Sequence, residues 1–153
     1  MIVKTDRKQK TLAKEISLNG VGLHTGKDVK LTFKPAPENF GFAFKRIDLE
    51  GEPLIEADVN FVTNTQRGTC LEKNGVKIQT TEHVLAALVG MQIDNAIIEL
   101  NESEPPIMDG SSKYFIDAIS KAGIVEQNAE IEEFVVKDII TYTEEESGSE
   151  ITM

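Results

Sequence analysis

The chain has 153 residues, 40% of them hydrophobic, and a formal net charge of −10 from 16 Lys and Arg against 26 Asp and Glu. This is enough apolar matter for one domain, or for one domain and part of another, with a mainly aliphatic core since there are seven Phe, two Tyr and no Trp. The acidic balance repels a nucleic-acid backbone, and the single cysteine, Cys70, excludes an internal disulfide.

The N-terminal stretch MIVKTDRKQKTLAKEI is charged and lacks the apolar run of a secretory signal. No stretch approaches the roughly 20 apolar residues of a membrane span. A soluble, cytoplasmic protein is expected, with Cys70 as a small core residue in a reducing compartment.

TLAKEISLNGVGL begins with strand-like alternation and ends in glycines. DVKLTFKPA alternates with Val29, Leu31 and Phe33 on one face, and prolines at 35 and 37 end it. GFAFKRIDL reads as a third strand carrying Phe42, Phe44 and Ile47. Asn74-Gly75, between GTCLEK and VKIQ, signals a two-residue hairpin in a small antiparallel sub-sheet.

TTEHVLAALVG has the 3.6-residue period of a helix through Val84, Leu88 and Met91, with Thr80 or Thr81 as N-cap. NAIIEL is a short, nearly all-apolar strand, and NESEPPIMDGSS a loop with an Asp109-Gly110 turn. SKYFIDAISKAG is a second amphipathic helix, with Ser111 or Ser112 at its start and Gly123 at its C-cap. IVEQNAEIEEF turns acidic, so a domain boundary is placed near Gln127 and Asn128. EFVVKDIITYT then starts a new strand, and EEESGSEITM stops within another, as a fragment of a longer protein would. Strands followed by helix, strand and helix specify an α+β fold, a two-layer sandwich.

Two residues stand out chemically. The chain has only two histidines, and His83 follows Glu82 in the first turn of the Thr80 helix. The positive end of a helix dipole suits a carboxylate there. An adjacent glutamate and histidine can serve one metal, as in the zinc-protease H-E-x-x-H motif, but here the order is reversed and Ala87 stands four residues after His83. A half-buried, hydrogen-bonded ring beside a helix-start carboxylate is the plainer reading. NGVGLHTG, with His24 among three glycines, reads as a tight turn needing positive φ, or as backbone approaching a ligand that His24 reaches. Arg67 reads as a surface residue of the insert, and PPIMDGSS is explained by its turn.

Taken together, GVGLHTG, TEH, IDN and IMDGS resemble the zinc-dependent UDP-3-O-acyl-N-acetylglucosamine deacetylases of lipid A biosynthesis, in that family's order and spacing over residues 9 to 127. The resemblance implies a ribosomal S5 domain 2-like sandwich with a mixed sheet, two helices on one face and a small antiparallel insert around 57–79. It implies that 1–127 is the first deacetylase domain and 128–153 the truncated start of a second. The substrate would be a UDP-3-O-acyl-GlcNAc, and zinc the cofactor. By residue-wise carry-over His83 is a zinc ligand, Glu82 the general base, and His24 and Arg67 substrate-binding. The other ligands would lie in the second domain, and this part alone would be inactive. Relatives often carry a cysteine where Gly68 stands, and some are fused to a hydroxyacyl carrier-protein dehydratase. The alternatives are a non-catalytic ligand- or RNA-binding α+β module, and half of a small-molecule kinase. The charge counts against RNA, and the lack of a glycine-rich phosphate loop before the Thr80 helix counts against a kinase.

Overall fold

A computed structural model describes residues 1–153. The strands are β1 (Ile2–Leu12), β2 (Ile16–Val21), β3 (Asp28–Pro35), β4 (Phe42–Arg46), β5 (Leu54–Glu56), β6 (Val62–Asn64), β7 (Cys70–Lys73), β8 (Val76–Ile78), β9 (Ala96–Leu100), β10 (Ile124–Phe134), β11 (Thr141–Thr143) and β12 (Glu150–Thr152). The helices are α1 (Glu82–Gly90) and α2 (Lys113–Ala122). The chain divides into two compact units, Gln9–Ala129 and Met1–Lys8 with Glu130–Met153.

The larger unit is an α+β sandwich. Its mixed sheet has the order β2-β3-β9-β4-β5, antiparallel except where β4 and β9 run parallel. Register explains which side chains meet the helices. Leu31 lies opposite Leu100, Phe33 opposite Ile98, and Phe44 opposite Ile98 and Ile55, and all six are buried. The alternate positions bear Lys34, Lys45 and Glu99, and the two lysines pair with Glu99 on the other face.

Against the apolar face lie Val84, Ala87 and Leu88 of α1 and Phe115, Ile119 and Ala122 of α2. Phe33 and Phe115 meet edge to face, their centroids 6.2 Å apart. Burying each phenyl ring contributes about 1.5–3 kcal/mol. A small antiparallel sheet, β6-β7-β8, forms the insert. Its β7–β8 turn is Asn74-Gly75 with φ of 52° and 80°, both left-handed, as the dipeptide specifies.

Loop and sheet in this unit are tied by Asn95. Its side chain accepts from the Phe40 and Gly41 N–H groups at 2.8 Å, and donates to Gln9 Oε1 at 2.9 Å and Gln127 Oε1 at 2.8 Å. All four hydrogen-bonding capacities of this 1%-exposed amide are used.

The smaller unit contains no helix. In it the first part of β1 lies beside the last part of β10, with Thr5 Oγ1 donating to the Ile131 carbonyl, and β11 and β12 form an antiparallel hairpin.

Several expectations change. Ile47 is exposed and lies beyond β4, because the chain turns at Arg46, whose guanidinium is clamped to Asp48 at 2.6 and 2.8 Å. Neither threonine caps α1 with its side chain, and Ser112 does not cap α2 that way, whereas Ser111 Oγ accepts from the Lys113 N–H at the start of α2 at 3.2 Å. Ser112 Oγ donates instead to the His83 carbonyl at 2.9 Å, fastening the start of α2 to α1. Ser111 bonds Asp109 in the turn. Gly123 does end α2, at φ 78°. Of the strand expected over EFVVKDIITYT, only Thr141–Thr143 is strand beyond Phe134, while Gln127 and Asn128 lie inside β10 just before the division between the units at Ala129 and Glu130.

Candidate functional site

Four segments of the larger unit converge at the start of α1: the turn after β2, the β6–β7 loop, the Thr80–Thr81 entry to the helix, and the loop after β9. The sequence separates them by up to some 80 residues, and hydrogen bonds join them.

Glu82 opens α1 and is half-buried. One of its oxygens, Oε1, accepts a short hydrogen bond from the Thr69 N–H in the β6–β7 loop. The other, Oε2, is buried and has no hydrogen-bond partner. A buried unpartnered carboxylate oxygen costs free energy, so it marks a place where a ligand, a metal or water belongs. Its neighbour Gly68 leaves room: a Cβ there would stand 3.6 Å from Glu82 Oε1 and from Thr80 Oγ1. His83 is half-buried, next along the helix, and its carbonyl is held by Ser112.

A polar cleft of about 370 Å³ adjoins the pair. His24, Arg67, Gly68, Cys70, Lys77 and Thr80 are among the residues that line it. His24 and Arg67 thus come together, although 43 positions apart in sequence. Glu82 and His83 are not part of the lining and adjoin it through Gly68 and Thr80. Lys77 is paired with Glu72 at 3.2 Å, whereas Arg67 has no carboxylate partner. Arg67 is exposed, as a surface reading requires, but it sits on the cleft in the left-handed region at φ 61°. Cys70 is half-buried on the cleft wall rather than in the core, because its short strand belongs to the insert.

The turn carrying His24 is built differently from the sequence expectation. Only Gly26 needs positive φ, at 64°. Gly20 and Gly22 are needed for close approach instead: a Cβ on Gly20 would be 2.8 Å from Pro106 Cβ, and one on Gly22 would be 2.7 Å from Glu104 Oε2. His24 itself is exposed, its N–H bonded to Glu104.

Glu104 is the residue the sequence did not single out. It is 0% exposed. Its Oε1 accepts from Thr80 Oγ1 at 2.8 Å and His24 N at 3.2 Å, and its Oε2 from His24 N and Thr25 N, each at 3.0 Å. Burial pushes this carboxyl up, but the Thr25 N–H, the Thr80 hydroxyl, the His24 N–H and the Thr25 hydroxyl outweigh it and hold it below the ordinary glutamate value. Thr80 is a β-branched residue at φ 55°, a conformation costing on the order of 1–3 kcal/mol that its surroundings must enforce. In sequence the only sign of Glu104 is an acid in front of two prolines.

Fold and site together define a class: an α+β sandwich that offers a helix-start carboxylate and histidine beside a polar cleft. The comparisons with known proteins are more specific. Residues 9–152 match the UDP-3-O-acyl N-acetylglycosamine deacetylase family, and the chain belongs to it. It is 49% identical over 144 residues to the bifunctional enzyme LpxC/FabZ of Bacteroides thetaiotaomicron, covering 94% of this chain and 31% of that protein. It is 46% identical over 134 residues to the UDP-3-O-acyl-N-acetylglucosamine deacetylase of Cellvibrio japonicus, covering 88% and 44%. The chain thus spans less than half the length of these relatives.

Proposed function

We propose that residues 1–153 are the N-terminal part of a zinc-dependent deacetylase that hydrolyses the 2-acetamido group of a UDP-3-O-acyl-N-acetylglucosamine, releasing acetate, in cytoplasmic lipid A biosynthesis. The carrying observation is Glu82 Oε2: buried, without a partner, and next to His83 at a helix start. Family membership supports the substrate class.

Within this reading Glu82 is the general base. Thr69 N–H fixes Oε1, so the carboxylate cannot swing away, and Oε2 is left to take the proton of the attacking water. The amide C–N bond then breaks, giving acetate and a free amine. His24 and Arg67 line the cleft and bind substrate, with Arg67 unpaired and able to meet an anionic group.

His83 is the zinc ligand this chain would supply. No group of three or more His, Cys, Asp or Glu in it could hold a metal, so the other ligands belong to a second deacetylase domain, whose start is 128–153. The orphaned oxygen and adjacent imidazole are the donor chemistry such a site uses. When bound, zinc polarises the scissile carbonyl and acidifies water. No helix is long and apolar enough to cross a membrane.

The test is acetate release from the acylated UDP-sugar by the full-length protein. Activity should be lost with a chelator and restored by zinc, while residues 1–153 alone stay inactive. Chelator-insensitive turnover, or full-length rates from the 153-residue chain, would overturn the ligand assignment.

A further inference from the structure

We propose that Glu104 is a positioning residue: one buried carboxylate fixes the His24 turn against the Thr80 turn that enters α1, and so sets where His24 stands relative to Glu82 and His83. This rests on the hydrolytic reading of Glu82 and His83 given above.

Four observations carry it. Glu104 receives only donors, from three residues on two segments, and so acts as an acceptor on all sides. A carboxylate matches that pattern, whereas a glutamine would turn N–H groups toward N–H groups. Both segments end at the cleft: His24 and Thr80 line it. Thr80 is held in the left-handed region by its bond to Glu104 and stands two residues before Glu82, so the clamp acts where α1 begins. Finally, the loop bearing Glu104 is itself anchored. Ser103 accepts from the Gln79 N–H at 2.9 Å, and Pro105 and Pro106 are buried. Gly22 completes the arrangement, since a side chain there would crowd both the Thr25 hydroxyl and the Glu104 carboxylate.

A merely structural clamp would lower stability and leave the chemistry of the folded enzyme alone. A positioning residue changes kcat/KM in the folded protein, through His24. The experiment compares wild type, Glu104→Gln, Glu104→Asp, His24→Ala and the Glu104→Gln/His24→Ala double variant, all as full-length protein below their unfolding temperatures. It reads kcat and KM for acetate release, and hydrogen exchange at the His24 and Thr25 amides. Glu104→Gln is expected to lower kcat/KM by about 100-fold, the scale of a misplaced binding geometry. The double variant is expected within about threefold of the slower single variant, since both changes act on one group. The two amides should lose protection.

Wild-type kcat/KM in Glu104→Gln, or losses that multiply in the double variant, overturns the proposal. Should Glu104→Gln not fold, Glu104→Asp replaces it in both comparisons: it keeps the charge but is one methylene short of spanning both segments, and the same outcomes decide. If the wild-type protein releases no acetate, the deacetylase reading fails by itself. Exchange at His24 and Thr25 then decides the clamp, and unchanged protection in the variant sinks it.

Discussion

Gly22 and Glu104 share one volume. A Cβ on Gly22 would fall 2.7 Å from Glu104 Oε2 and 2.2 Å from the Thr25 hydroxyl, inside the distances real side chains keep. The glycine is there because the Thr25 hydroxyl and a buried carboxylate from a loop some 80 residues away together fill the space its side chain would take.

Gly22→Ala should therefore destabilise the protein by about 1–3 kcal/mol, the cost of overpacking. Urea unfolding would measure it. The neighbouring Gly26, with nothing within 4 Å of a Cβ, serves as the contrast: Gly26→Ala meets only the strain of positive φ.

Glu104 predicts a pH signature. Its folded value lies below the ordinary one, so the stability it contributes is fully present above the unfolded glutamate value of about 4.3 and is lost as pH falls through the lower folded value. The melting-temperature difference between wild type and Glu104→Gln should be constant from neutral pH to about 5 and shrink below about 4. A difference that stays constant through acid would contradict this.

Glu82→Gln should lower kcat of the full-length protein by about 100- to 10,000-fold, the usual contribution of a general base. Thermal stability should change little or improve, because Oε2 is buried without a partner and the amide carries no charge to desolvate. A variant that keeps wild-type kcat would remove Glu82 from the mechanism.

Asn95→Ala strands the Phe40 and Gly41 N–H groups and removes one hydrogen bond each from Gln9 Oε1 and Gln127 Oε1. A loss of about 1–3 kcal/mol is expected, below the full penalty for two buried donors because Phe40 and Gly41 are half-buried and water reaches them. Denaturant titration of the two proteins reads it directly.

Periodicity alone made the frame legible. The alternation of Val29, Leu31 and Phe33, the Asn74-Gly75 turn, and the helical stripes of Val84–Leu88 and Phe115–Ile119 are local patterns, and local backbone preference and burial both respect them. Glu82 and His83 were visible for the same reason: a polar pair in the first turn of an otherwise apolar helix is a local anomaly. What could not be read is anything made by convergence of distant segments. The hydroxyls of Thr80 and Ser112 suggested caps, yet each bonds a residue of another segment, Glu104 and His83. Cys70, apolar enough for a core, lines a cleft because the insert carries it there.

The sequence by itself determined β3, β4, β9, the Asn74-Gly75 hairpin, the two helices, the α+β class and the Glu82–His83 pair, because each is written in residues within a turn or two of one another. Only the tertiary structure decided that Thr69 orients Glu82, that His24 and Arg67 share a cleft, and that Glu104 holds the His24 and Thr80 turns together. Those depend on which buried donor finds which acceptor, a choice made by packing across the chain and invisible to spacing along it.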